Sequence, residues 1–155
     1  MRLIAIGTRM PGWVDQAFED YSRRLRSSWE LKFTALASAR RSQGSDEAKL
    51  ARAGEARRIL ALLGARDFVV ALDEHGAELT TVELAQWLEE RHAAGQPLTF
   101  IIGGPDGLDA AVLARSQYRL ALSRLTLPHG LARVLLAEQL YRAFTVLVGH
   151  PYHRA

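Results

Sequence analysis

The chain has 155 residues, 48% of them hydrophobic, and a formal net charge of +3, which suits one domain, residues 1–155, with a full core. The absence of cysteine excludes disulfides, thiolate metal sites and cysteine nucleophiles, and no apolar run approaches the roughly 18 residues of a membrane span. Because its start also lacks a signal-peptide cleavage pattern, we expect a cytoplasmic protein.

The first half of the chain alternates between strand and helix patterns. Residues 2–7 predict a strand, residues 12–26 have the apolar spacing of a helix, and residues 29–37 alternate like a strand. The polar and basic residues 38–47 predict a mobile loop, and residues 46–63 predict the next helix.

The same alternation continues in the second half. Strands are predicted over residues 66–73, 98–104 and 118–123, and helices after Thr80, after Asp109 and over residues 130–148. Thr80 and Glu83 have the spacing of a capping box. Strands that alternate with helices predict an α/β domain with a mostly parallel sheet and helices on both faces.

Three turns rich in glycine or proline each follow a predicted strand: LDEHG (residues 72–76), IGGPDGLD (102–109) and SRLTLPHGL (123–131). Ligands of such sheets bind beyond the carboxyl ends of the strands. Taken alone, IGGPDG fits a tight strand-to-helix connection, but three such turns at one sheet edge favour a ligand. They contain no cluster of basic residues, so a flat ring with polar edges, held by backbone groups, fits better than a polyphosphate.

Two features near the C-terminus each have an ordinary explanation. Glu138 and Arg142 have the i,i+4 spacing of a surface ion pair that stabilises a helix. The last segment, GHPYHRA (residues 149–155), contains two histidines, a tyrosine and an arginine, whereas chain termini are normally frayed. A disordered tail or the remnant of a purification tag are the alternatives to a functional segment. Pro151 lies between His150 and His153 and rules out the regular helix that would hold two histidine ligands one turn apart, so we expect no metal site.

The basic residues are almost all arginine, since Lys32 and Lys49 are the only lysines. Arginine binds phosphate through a planar fork of donors and stacks on nucleobases. A composition rich in alanine, leucine and arginine is also typical of GC-rich genomes. The composition therefore permits an RNA partner without establishing one.

The motifs IGGPDGL, LSRLTLPHGLARVLLAEQLYRAF and HPYHR together resemble the RlmH family. These are small bacterial methyltransferases of the SPOUT superfamily that act on a pseudouridine of 23S (large-subunit) ribosomal RNA. The resemblance extends to AIGTRMPGWV and VALDEHG, and only residues 40–46 match no motif. It implies an α/β sheet with a C-terminal trefoil knot, a homodimer, and S-adenosylmethionine as the methyl donor without a metal.

The resemblance also implies which residues hold the cofactor. They lie in the three turns and are Leu72, Asp73, Gly103, Gly104, Ser123, Arg124, Leu125, Thr126, Leu127 and Pro128. We expect the glycines to clear space for the adenosyl group and backbone groups of residues 125–128 to contact the adenine edge.

The implied acceptor is N3 of a pseudouridine, which must lose a proton during attack on the methyl group. His153 is our first candidate for the general base and Glu138 the second. Arg142 is expected to stabilise the developing imide anion on a carbonyl oxygen.

Four residues are expected to contact the RNA: His129, Arg133, Tyr152 and Arg154. We expect Tyr152 to stack on the base and Arg154 to contact a phosphate. Because contacts in a two-fold dimer occur in reciprocal pairs, one subunit's C-terminal residues are expected to complete the other subunit's pocket.

Two other functions fit parts of this pattern. One is a ribosome-associated RNA-binding protein that has lost catalysis. The other is a knotted methyltransferase of tRNA, although that group often carries an added RNA-binding domain, for which 155 residues leave no room. A single small domain should depend on a preassembled target, so we expect ribosomal particles to be better substrates than free RNA.

Overall fold

The computed structural model describes residues 1–25, 29–39 and 45–154, without the side chains of residues 45, 46, 153 and 154. Its elements in chain order are β1 (Arg2–Ile6), α1 (Gly12–Leu25), β2 (Lys32–Leu36), α2 (Ser45–Leu60), β3 (Phe68–Glu78), α3 (Thr81–Ala93), β4 (Leu98–Ile102), α4 (Ala110–Arg115), β5 (Tyr118–Ala121) and α5 (His129–Leu147). A single 3₁₀ turn, Pro151–Arg154, follows α5. The predicted alternation of strands and helices is confirmed. The loop expected over residues 38–47 lies largely outside the described residues.

The strands of the described residues form one sheet with the order β2-β1-β4-β3-β5, and every neighbouring pair is parallel. Ile4 in β1 pairs with Thr34 in β2 on one side and with Ile101 in β4 on the other. The predicted fold class is confirmed. The trefoil knot stays a prediction.

Helices cover both faces of the sheet because its central strands are apolar on both sides. Leu3 and Ala5 of β1 point into a core that also contains buried residues of α1, α3 and α5. Ile4 and Ile6, which alternate with them, point into a second core with residues of α2 and α4. The period-two alternation of β1 therefore divides the helices between the two faces.

Strand β3 differs from its prediction. The sequence predicts that the strand ends at residue 73, whereas β3 extends to Glu78. Leu72 and Ala77 both pair with Leu120 of β5, so residues 73–76 bulge out of the ladder. Gly76 permits this, because a Cβ there would lie 2.7 Å from the carbonyl carbon of Arg119. The expected LDEHG turn is thus a bulge within a strand, named here the β3 bulge (residues 73–76).

Two helix starts form as the sequence predicts. The backbone N–H of Glu83 donates to Thr80 Oγ1, and the Glu83 carboxylate accepts from the backbone N–H of Thr80, which completes the capping box of α3. Asp109 caps α4 by accepting from the backbone N–H of Ala111 at 2.9 Å. None of the described helices is both long and apolar enough to cross a membrane.

Candidate active site

A cleft of about 750 Å³ opens beside the β3 bulge and beyond the carboxyl ends of β4 and β5. Its walls are residues 72–75 of β3, residues 102–108 at and after the end of β4, and residues 122, 123 and 125–129 after β5. The three segments that the sequence singled out therefore meet at one place. Of the ten predicted cofactor residues, only Arg124 does not line the cleft. Their role in binding stays a prediction.

The glycine turn after β4 closes on itself. The backbone N–H of Gly107 donates to the carbonyl of Gly104 at 2.9 Å, and Gly107 has a φ of 78°. A Cβ at Gly103 would lie 2.8 Å from the carbonyl carbon of Gly107. Gly103 and Gly107 are thus required by the turn itself. Gly104 is buried, lines the cleft and does not adopt a positive φ.

The third wall leads directly into α5. The backbone N–H of Leu125 donates to Ser123 Oγ at 3.0 Å, which shapes the loop. Pro128 precedes the first helical residue, His129, with a φ of −56° and no side-chain cap. Because the cleft loop continues without a break into α5, a shift of this helix would move the cleft wall.

Charged groups around the cleft are acidic. Asp73, Glu74 and Asp106 line it, whereas no lysine or arginine does so among the described residues. Asp73 is engaged locally, because its Oδ1 accepts from the backbone N–H of His75 at 3.0 Å and its Oδ2 lies 4.0 Å from Arg119 Nη1. This set of groups does not suit a polyphosphate, which agrees with the sequence.

A second cluster lies further along α5, where the C-terminal residues fold back on the helix. Glu138 Oε1 accepts from Arg142 Nε at 2.8 Å and from Tyr152 Oη at 3.2 Å. The Arg142 guanidinium lies over the Tyr152 ring, 4.8 Å from its centroid. Tyr152 is thus packed in place, which contradicts the disordered tail considered above. The side chains of His153 and Arg154 lie outside the described residues.

The Tyr152 phenol is held neutral. Burial raises its pKa, and the hydrogen bond with Tyr21 and the charge of Glu138 raise the pKa further. Its ring packs against Tyr141 with centroids 4.8 Å apart. Tyr152 therefore acts here as a hydrogen-bond donor and an aromatic surface, not as a base.

Within one chain the cleft and this second cluster are separate. Ala132 is the last residue of α5 that lines the cleft, and Glu138 follows it by six residues, which corresponds to a rise of about 9 Å. The structure thus brings together the predicted cofactor residues in one place and Glu138, Arg142 and Tyr152 in another. No group of three or more metal-ligating side chains is found in the part of the chain described.

Arg133 has contacts that differ from the expected RNA contact. It is 2% exposed, and its Nη2 donates to the carbonyls of Ile6 and Gly7 at 2.7 Å each. Its guanidinium lies 5.3 Å from the centroid of the Phe33 ring. Burial lowers the pKa of Arg133, and the charge of Asp15 opposes this. Arg133 ties the end of β1 to α5, and as placed it is too buried for an RNA phosphate to reach it.

The sequence analysis did not identify two residues that belong to these sites, one at the cleft and one at the cluster around Tyr152. Glu74 extends from the β3 bulge into the cleft, and Tyr21 of α1 contacts Tyr152 at 3.4 Å between hydroxyl oxygens. The bulge has no local signal, because it depends on two residues of β3 that pair with the same residue of β5. Tyr21 has the spacing of a core residue, and only the fold of the C-terminal residues gives it a second role.

A family described as a predicted SPOUT methyltransferase matches residues 1–153. The chain belongs to the SPOUT methyltransferase family. The resemblance recognised in the motifs is thereby confirmed.

Relatives in this family are similar over their full length. A protein of Bordetella pertussis named ribosomal RNA large subunit methyltransferase H is 50% identical, with 100% of both chains covered. Proteins of the same name from Thiobacillus denitrificans and Hahella chejuensis are 49% and 46% identical, each with 99% of this chain and 98% of the relative covered.

Solved structures of two methylase family proteins share the fold. A putative methylase family protein from Neisseria gonorrhoeae superposes with a TM-score of 0.51 at 13% identity, covering 90% of this chain and 80% of that one. A probable methylase family protein from Haemophilus influenzae has a TM-score of 0.51 at 16% identity, covering 97% and 67%. At these identities the likeness concerns the fold alone.

Proposed function

We propose that this protein is an S-adenosylmethionine-dependent methyltransferase that methylates N3 of a pseudouridine in 23S ribosomal RNA. It acts in the cytoplasm on the ribosome or the large subunit. The observation that carries the proposal is the meeting of the three motif segments around one cleft. The full-length similarity to relatives named as large-subunit rRNA methyltransferases supports the choice of substrate.

The cleft fits the proposed cofactor. Its volume of about 750 Å³ lies within the usual range for small-molecule sites. Backbone groups of Gly104 and Leu127 lie in its walls, where a nucleobase edge can be hydrogen-bonded. S-adenosylmethionine has a net positive charge near neutral pH, which suits a cleft lined by carboxylates and by no lysine or arginine among the described residues.

When bound, S-adenosylmethionine supplies a methyl group already activated by the sulfonium. The protein's own contribution is then to orient the acceptor and to stabilise charge on it. Correct orientation is worth up to roughly 7–11 kcal/mol in favourable cases. Residues on rigid elements provide it best, and α5 connects the cleft wall at His129 with Arg142.

Glu138 positions Arg142 in this proposal and is not the general base. Its carboxylate accepts from Arg142 and Tyr152 through Oε1 and from Gln139 Nε2 through Oε2 at 2.7 Å. Both carboxylate oxygens are thus occupied by donors, which hold the neighbouring side chains in place. The general base is therefore His153, which follows the tyrosine directly. Arg142 stabilises the imide anion, and Tyr152 provides a stacking surface for the base.

The complete site requires a homodimer. Tyr152 contacts its own α5 at Glu138, about 9 Å of helix rise beyond Ala132, the last residue of α5 that lines the cleft. A second subunit related by two-fold symmetry can supply the missing groups, because its residues 150–154 can lie over the first subunit's cleft. Exposed apolar side chains support such an interface: Trp13 is 55% exposed, Leu125 74% and Val148 56%.

Calorimetry with S-adenosylmethionine, followed by transfer of a labelled methyl group, tests this function. We expect saturable binding, label in 23S rRNA of ribosomes that lack the modification, and much less label in naked rRNA. No binding would favour the inactive RNA-binding alternative. Label in tRNA would favour the knotted tRNA methyltransferase, and equal labelling of naked rRNA and ribosomes would contradict the requirement for an assembled target.

A further inference from the structure

The β3 bulge places one carboxylate across the mouth of the cleft. Glu74 Oε2 accepts from Thr126 Oγ1 at 2.6 Å, although the two residues are 52 positions apart in the chain. Both side chains line the cleft and both residues are exposed. The bond therefore joins the wall formed by β3 to the wall that leads into α5.

The fold around Glu74 holds this carboxylate in place. Gly76 lies so close to the backbone of β5 that a Cβ at this position would be 2.7 Å from the carbonyl of Arg119, so no side chain would fit there. Asp73 fixes the other end of the bulge by accepting from the backbone N–H of His75. Asp73 also lies 4.0 Å from Arg119, whereas Glu74 accepts from an uncharged hydroxyl, that of Thr126. Glu74 thus holds its negative charge at the cleft through a bond to an uncharged partner.

The two forms of the proposed cofactor differ in charge. S-adenosylmethionine has a sulfonium, an ammonium and a carboxylate, with a net charge of +1. When the methyl group is transferred to the deprotonated acceptor, the bond between sulfur and the methyl carbon breaks. Its electron pair stays on sulfur, so the sulfonium becomes a neutral thioether. The product, S-adenosylhomocysteine, has no net charge. A fixed negative charge at the cleft therefore attracts the donor more than the product.

We propose that Glu74 is a specificity residue that favours the cationic methyl donor over the uncharged product. This inference rests on the proposed function of the cleft. Since transfer removes one positive charge from the ligand, the carboxylate also favours product release after each reaction. The effect is electrostatic, so it weakens as salt screens the exposed groups.

Equilibrium binding to the full-length dimer tests the inference without any measurement of activity. The ligands are S-adenosylmethionine, S-adenosylhomocysteine and sinefungin, an analogue in which an amine replaces the methylsulfonium and keeps the positive charge. We expect Glu74→Gln to weaken binding of both cationic ligands by about three- to tenfold, with less than a roughly twofold change for the product. The matched control is Glu89→Gln, which removes the charge of an exposed glutamate on α3 and should leave all three affinities unchanged.

Thr126→Val separates charge from hydrogen bonding, because it removes the bond across the cleft but keeps the carboxylate. We expect it to leave the ratio of donor to product affinity as in the wild type. A Glu74→Gln variant that weakens all ligands equally, or none, would overturn the inference. So would a Thr126→Val variant that lowers the ratio as much as Glu74→Gln does. If the wild type binds none of the three ligands, the proposed function itself is wrong.

Discussion

Glu138 and Arg142 lie one turn apart on α5, and a single carboxylate oxygen, Glu138 Oε1, is 2.8 Å from both Nε and Nη2 of the guanidinium. The pair was expected from its spacing, but as an exposed pair of little energetic weight. The side chains are instead only 13% and 23% exposed, and Tyr152 joins them. Such partial burial fixes the direction of the guanidinium, which a solvated pair would not do.

Arg142→Ala should leave the affinity for S-adenosylmethionine close to that of the wild type and reduce turnover by about 10²–10³-fold. The reason is that Arg142 is assigned to charge that develops on the acceptor, away from the cleft. Calorimetry and single-turnover methyl transfer to ribosomes measure the two effects separately. Arg23→Ala is the matched control, because Arg23 has the same i,i+4 pairing with Glu19 but is 61% exposed. Unchanged turnover in Arg142→Ala would remove this residue from the mechanism.

The C-terminal residues are predicted to act on the partner's cleft. A chain truncated after Gly149 should stay folded and bind cofactor, yet transfer no methyl group. Mixed with a Gly104→Val chain, it should regain about a quarter of the wild-type activity, because half of the dimers are mixed and each has one complete site of two. Native mass spectrometry verifies that mixed dimers form. Inactivity despite mixed dimers would mean that each subunit uses its own C-terminal residues.

Neighbouring glycines of the turn after β4 should respond differently to substitution. Gly104→Val is expected to abolish cofactor binding with little change in melting temperature, since Gly104 lines the cleft and does not have a positive φ. Gly103→Ala should instead lower the free energy of unfolding by about 1–3 kcal/mol, because its Cβ would meet the carbonyl of Gly107. Thermal melts and calorimetry compare the two variants. Normal cofactor binding by Gly104→Val would show that the assigned binding site is wrong.

Thr80→Ala should lower the free energy of unfolding by about 1 kcal/mol through loss of the α3 cap. Two hydrogen bonds from Thr80 hold the pKa of Glu83 below its ordinary value of 4.5. The larger effect comes from the backbone N–H and the smaller from the side-chain hydroxyl. A lowered carboxyl pKa stabilises the fold above that ordinary value, and this contribution is lost as the pH falls through the lowered pKa. Urea denaturation at pH 7 and at pH 3 measures both effects. An equal wild-type-to-variant difference at the two pH values would mean that the Thr80 hydroxyl does not stabilise ionised Glu83.

The sequence predicted those parts of the molecule that depend on local patterns. The strand over residues 2–7, the helix after Asp109 and the capping box at Thr80 were each recognised from a few neighbouring residues. The β3 bulge was not, because it exists only through pairing with β5. The burial of Arg133 was missed for the same reason, since its partners are the carbonyls of Ile6, the last residue of β1, and Gly7, 127 and 126 positions away. Local motifs thus located the cleft, whereas long-range contacts determine which side chains reach it.

The central claim is methylation of N3 of a pseudouridine in 23S rRNA, and mass spectrometry of that RNA tests it most directly. The RNA is compared between a strain with the gene, a strain without it, and the second strain supplied with either the wild-type or the Arg142→Ala protein. We predict that one 23S fragment lacks a single methyl group on a pseudouridine in the strain without the gene, and that only the wild-type protein restores it. An unchanged methyl pattern in that strain, or a lost methyl group on another nucleoside, would contradict the account.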